Sequence, residues 1–178
     1  RATLTGNFKD FAEVQGMFSM FNQVKGLKVV KDDHMGNVST ISYKAANYME
    51  FGGGAKVDIF KMVGFTKPLE ISGSYKHSER SLETDFMAAL GAAELKSEVK
   101  SDFINGGLYV QYLPRLGVNL GVQMINTEYT NTSNAITQNA PLLKGTQMQW
   151  MVGLDYNIAP NACLAVNFGM INVENEYN

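Results

Sequence analysis

The sequence predicts an all-β chain: an antiparallel up-and-down sheet rolled into a barrel, or a segment of one, with one or two short helices in its long connections. Three observations carry this. Apolar and polar residues alternate with a period of two over long stretches, which describes strands with one apolar and one polar face. Those stretches run to about nine to thirteen residues, longer than the five or six usual in soluble sheets. The links between them are alternately short and long.

Taken in order, Ala2, Leu4, Gly6 and Phe8 alternate with Thr3, Thr5, Asn7 and Lys9 in a first strand. Asp10 to Gly26 then reads as an amphipathic helix: Phe11, Val14, Phe18, Phe21 and Val24 recur at helical spacing, Asp10 with Glu13 forms a capping-box pattern, and Gly26 suits a C′ position. Leu27 to Lys31 and Val38 to Tyr43 flank Asp32–Asn37 as a small hairpin. A second strand is expected over 49–62, with Met49, Phe51, Gly53, Ala55, Val57 and Ile59 on its apolar parity, and a third over 68–78, with Leu69, Ile71, Gly73, Tyr75 and His77. Ser81 to Lys100 is expected as a helix with Leu82, Phe86, Leu90 and Ala93 on one stripe. Further strands follow over 102–113, 117–129, 146–157 and 161–173.

Links at 64–68, 114–116 and 157–161 are short, and each contains a proline, which fixes φ and stops a ladder. Placing them on one side sends 49–62, 102–113 and 146–157 one way and 68–78, 117–129 and 161–173 the other. This reading gives seven crossings, with Glu174–Asn178 as the start of a further loop. A closed up-and-down barrel needs an even number, so at least one C-terminal strand is expected to be missing from a single barrel domain over 1–178. The sequence also begins at Arg1 without an initiator Met or signal peptide, which reads as a processed or excised segment.

Composition narrows the function classes. The net charge of −2 argues against a nucleic-acid binder, which would show a basic excess. Charged residues are 18% of the chain, against about 25% in ordinary soluble domains, with Gly and uncharged polar residues filling the difference. Ten Phe and eight Tyr exclude disorder, and the single cysteine, Cys163, excludes an internal disulfide framework or a multi-Cys metal site. No apolar stretch reaches the ~18 residues of a membrane-crossing helix, whereas the strands match the ~9–11 residues that a tilted strand needs to cross the hydrocarbon layer.

Candidate chemistry is sparse. His34 beside Asp32 and Asp33 reads as a turn rather than a metal site. His77 has opposite parity to Ser72, Ser74 and Ser78, so these cannot form a Ser–His pair on one face, and no enzyme activity is expected. Gly52-Gly53-Gly54 lacks phosphate-loop spacing and reads as a place where the strand bends or another segment comes close. Cys163 has the parity opposite Leu164 and Val166, on the polar side.

In length, alternation and link pattern the whole chain resembles a bacterial outer-membrane β-barrel, at the level of architecture. The resemblance implies an outer-membrane location, a lipid bilayer as partner, and other envelope proteins or a homo-oligomer beside it. The apolar parity, Trp150 included, would face lipid. The polar parity would line the lumen: Glu50, Lys56, Asp58, Glu70, Lys76, Gln111, Asn119, Gln123, Gln147, Gln149 and Asp155. No cofactor, metal or nucleic acid is implied. The leading expectation is a channel or transporter for small solutes, with residues 10–26 as plug or lid. Alternatives are a structural, assembly or adhesion barrel acting through loops such as Thr130–Ala135, and a soluble β-sandwich or lipocalin-like barrel with its apolar face inward.

Overall fold

The computed structural model describes residues 1–23, 28–32, 38–88, 91–133, 143–159 and 162–177. It is one antiparallel sheet built from β1 (Ala2–Phe8), β2 (Ala12–Asn22), β3 (Lys28–Asp32), β4 (Val38–Asp58), β5 (Leu69–Ala88), β6 (Gly91–Leu113), β7 (Leu116–Ser133), β8 (Leu143–Ala159) and β9 (Ala162–Tyr177). Eight strands follow one another up and down in the order β1-β2-β4-β5-β6-β7-β8-β9, and β3 pairs with the far end of β4 as the expected hairpin. The one described helix, α1 (Ile59–Met62), is a single turn capped by Asp58 and lies in the connection from β4 to β5.

Two expected helices are strands. Residues 12–22 pair along their whole length with β4 and over 12–18 also with β1, Phe18 facing both Ala2 and Phe51. The helical spacing of Phe11, Val14, Phe18 and Phe21 coexists with a period of two in Val14, Gly16, Phe18 and Met20. Two ladders of backbone hydrogen bonds outweigh an isolated helical stripe. Asp10 caps no helix. With Lys9 it forms the tight turn from β1 to β2, both residues at positive φ (59° and 43°), closed by Phe11 N–H donating to Phe8 O at 3.1 Å.

Residues 81–88 and 91–100 likewise form the ends of β5 and β6, paired out to Ala88 and Gly91. Once register is set lower down, each further pair adds hydrogen bonds without a new loop to close, and that gain exceeds the helix propensity of Ala, Glu and Lys. The tail at 174–177 is also not a loop, because Glu174, Glu176 and Tyr177 pair with Thr146, Lys144 and Leu143. With β2 counted, the sheet path has an even number of strands, and the parity argument for a missing one loses its ground.

All described short connections fall at one end: Lys9–Phe11, residues 59–68 and Pro114–Arg115. They brace one another, with Asp58 N–H on Phe11 O (2.7 Å), Lys61 Nζ on Asp10 O (3.0 Å) and Lys67 Nζ on Tyr112 O (3.2 Å). At the other end the strands from β4 to β7 run well past their apolar stretches.

The described residues of the sheet form no hydrophobic core. Among the described residues no apolar side chain is buried; Trp150 is 50% and Phe168 75% exposed. The sheet curls toward its polar face, since one cavity of about 480 Å³ is lined by Thr3 of β1 together with Phe103 and Asn105 of β6 and Gln123 of β7. A lipocalin-like barrel would curl the opposite way, toward its apolar face.

Candidate functional site

Cross-strand register fixes which side chains share a face, because paired residues point the same way. Starting from Glu50, the pairs Glu50–Ser78, Lys56–Ser72 and Asp58–Glu70 tie β4 to β5, and Glu70–Tyr109 and Lys76–Phe103 tie β5 to β6. Tyr109–Asn119, Asn105–Gln123 and Gln111–Gly117 carry the same face to β7, and Gln123–Gln149 and Gly117–Asp155 carry it to β8. Glu50, Lys56, Asp58, Glu70, Lys76, Gln111, Asn119, Gln123, Gln147, Gln149 and Asp155 therefore all lie on the concave face.

Their exposure is the reverse of a soluble sheet. Glu50, Glu70, Lys76, Asn119, Gln123, Gln149 and Asp155 are half-buried, while Phe51, Ile71, Ile104, Leu120, Val152 and Leu154 on the convex face are exposed. The only buried polar side chain among the described residues, Ser78, is on the concave face.

Charges on this face are mostly paired. Lys56 meets Glu70 at 3.0 Å, and Lys76 lies 3.8 Å from Glu50, which also accepts from Tyr48 Oη. Lys76 Nζ further sits 4.2 Å from the centre of the Phe103 ring. Uncharged groups form a chain: Gln123 Nε2 donates to Asn105 Oδ1 (2.8 Å), and Asn105 Nδ2 donates to Ser74 Oγ (3.1 Å). Asn119 Nδ2 donates to Asp155 Oδ2 at 3.1 Å. Two of the expected residues serve turns instead. Asp58 Oδ1 accepts from Lys61 N (3.0 Å) and Leu69 N (3.2 Å), and Gln111 Nε2 donates to Pro114 O (2.9 Å).

Glycines let the strands and their side chains crowd closely on the concave face. A Cβ at Gly52 would stand 2.5 Å from Tyr75 O, and one at Gly54 would stand 2.9 Å from Ser74 Cβ. The Tyr109 ring covers Gly117, and a Cβ at Gly153 would collide with the amide oxygens of Asn119 and Asn167. The triple glycine at 52–54 thus serves close approach of β4 to its neighbours rather than an anion.

On the convex face of β5 to β9 the apolar band stops at a sharp line, whereas on β2 and β4 the same rows hold Phe18 and Phe51, then Met20 and Met49. Above Tyr75, Ile104, Met124 and Met148 comes the registered row His77, Asp102, Asn126, Thr146, and above it Glu79, Lys100, Glu128, Lys144, Glu176, alternating in sign from strand to strand. Lys144 meets Glu128 at 2.9 Å, and Lys100 meets Glu98 at 2.8 Å. The hydrogen bond from Lys100 holds the Glu98 carboxyl below the usual range, and the Lys100 and Lys144 ammonium groups are held above theirs by Glu98 and Glu128. In the first of these rows Asp102 Oδ1 accepts from Tyr75 Oη (2.6 Å) and lies 2.8 Å from His77 Nδ1, under the Phe51 ring. Ser72, Ser74 and Ser78 point to the other face, as expected from parity, so they bring no nucleophile to this pair.

Asn105 and Asp102 were not among the sequence candidates. Alternation with Ile104 and Gly106 marks Asn105 as polar-facing, so that signal was present. The meeting of Asp102 with His77 depends on register, which no local pattern gives. Cys163 pairs with Asn157 on the concave parity and is exposed. His34 and Asp33 lie outside the described residues. No known protein family matches this chain, and no significantly similar curated protein was found.

Proposed function

We propose that the chain forms the wall of a bacterial outer-membrane β-barrel, apolar face to lipid and polar face around a narrow hydrated path for small solutes. The observation that supports this most is the reversed exposure: large apolar side chains outside, half-buried polar ones inside, with no core among the described residues. In water such a face would exceed the few hundred Å² of apolar patch that soluble monomers tolerate. Lipid removes that cost. The nine residues Met148–Tyr156 match the ~9–11 residues that a tilted strand needs to cross the apolar membrane band. The charged row above it suits the headgroup region.

Open edges in lipid would leave backbone groups unpaired at several kcal/mol each, so β1 and β9 close the ring in this reading. Their directions are antiparallel, as an even count requires. With Cys163 replaced by Ser, Thr5→Cys is expected to form a disulfide with a cysteine at Ala165, Asn167 or Gly169 in membranes. Failure at all three positions would show that the edges stay apart.

A ring of eight strands encloses a space that side chains just fill. Here Gly52, Gly54, Gly107, Gly121 and Gly153 thin that filling, which supports a path rather than a plugged interior. The extension of β4 to β7 beyond the apolar band favours a second reading, an assembly or adhesion barrel acting through that ribbon. Reconstitution in planar bilayers separates them. Reproducible small conductance steps, with Trp150 fluorescence quenched by brominated lipid tails, are expected for a channel. Quenching without conductance would leave the assembly reading, and neither result would end the membrane reading.

A further inference from the structure

One registered row of the concave face carries no charge from one side of the sheet nearly to the other: Thr5, Gln15, Gly54, Ser74, Asn105, Gln123 and Gln149. The rows on either side hold Lys76 and, opposite Glu13, Lys56, and each lysine reaches one row outward to a carboxylate, Glu50 or Glu70. Neighbouring groups in the row are one strand spacing, about 4.8 Å, apart.

The row has unspent hydrogen-bonding capacity. The side chains of Gln15 and Gln149 make no hydrogen bond among the described residues, and the Gln123 side chain uses one amide hydrogen while its amide oxygen accepts none there. Of this row, Gln15, Ser74, Asn105 and Gln123 border the cavity of about 480 Å³, within the ~300–1,000 Å³ typical of small-molecule sites. Amides that both donate and accept match hydroxyl groups, which do the same. They offer an isolated ion far less. Phe103 beside Asn105 also borders the cavity, with Lys76 Nζ over its ring 4.2 Å from the centre.

We infer that this row is a binding subsite for a small neutral polyhydroxyl solute about the size of a hexose. The inference deepens the channel reading and rests on it. Arg1 and Lys76 also border the cavity, so the competing ligand is an anion of the same size.

The test is single-channel recording of the full chain in potassium chloride, with glucose, glucuronate or glucosamine added. Glucose is expected to interrupt the current at lower concentration than either charged sugar. Asn105→Leu and Gln123→Met should each weaken that block about three- to ten-fold, the loss of one neutral hydrogen bond. Block by glucuronate at lower concentration than glucose would overturn the inference in favour of an anion site. Conductance with no sugar block, or block untouched by both variants, would overturn it and leave the channel reading standing. No conductance at all would remove the channel reading and the inference with it.

Discussion

Val152→Arg is expected to destabilise the protein in lipid vesicles by about 2–4 kcal/mol, the cost of a cationic side chain near the bilayer midplane of a barrel wall. Val152 sits on the convex face, paired with Leu120 and Phe168, in the middle of the apolar band. Gln149→Ala, on the concave face of the same strand, should cost less than about 1 kcal/mol, because it makes no side-chain hydrogen bond among the described residues. Reversible urea unfolding in vesicles, followed by Trp150 fluorescence, measures both. A half-exposed valine on a water-facing sheet would accept arginine within about 0.5 kcal/mol. Equal, small costs at the two positions would therefore remove the lipid-facing assignment.

Gly52→Val is expected to cost about 3 kcal/mol or more, or to prevent folding, with Gly16→Val costing under about 1 kcal/mol. Both glycines lie in strands of the same sheet, and their difference is the curl. At Gly52 an added Cβ meets backbone, Tyr75 O at 2.5 Å and Lys76 Cα at 2.9 Å, which cannot move without opening the β4–β5 ladder. At Gly16 on the convex parity nothing lies within 4 Å. The strand propensity of valine offsets part of any cost at the second site and cannot offset a backbone clash at the first. Unfolding midpoints for the two variants under identical conditions decide the point. Similar midpoints would mean that the concave face is not tightly curved at 52.

Alternation by itself determined most of the wall. In 69–77, 104–112, 118–124, 148–156 and 164–170 the apolar residues recur every second position, and no helix presents a continuous face with that period. Parity then sorted Lys56 from Val57 and Gln149 from Trp150 before any pairing was known, and the prolines at 68 and 114 marked the turns. These signals are local, so a single sequence carries them.

Register, curl and the identity of β2 are not local. Phe11, Val14, Phe18 and Phe21 satisfy a helix and Val14, Gly16, Phe18 and Met20 satisfy a strand, and only the presence of β1 and β4 on either side chooses between them. The same holds for 81–88 and 91–100, where ladder continuation overrode good helix formers. Contacts such as Tyr75–Asp102–His77 and Ser74–Asn105–Gln123 join residues some twenty to thirty positions apart in sequence, and a shift of one residue in register would send each partner to the opposite face. The sequence thus determined what each strand shows on its two faces. The tertiary structure decided which strands are neighbours and toward which face the sheet bends, because those depend on pairing energies summed over whole ladders rather than on any one segment.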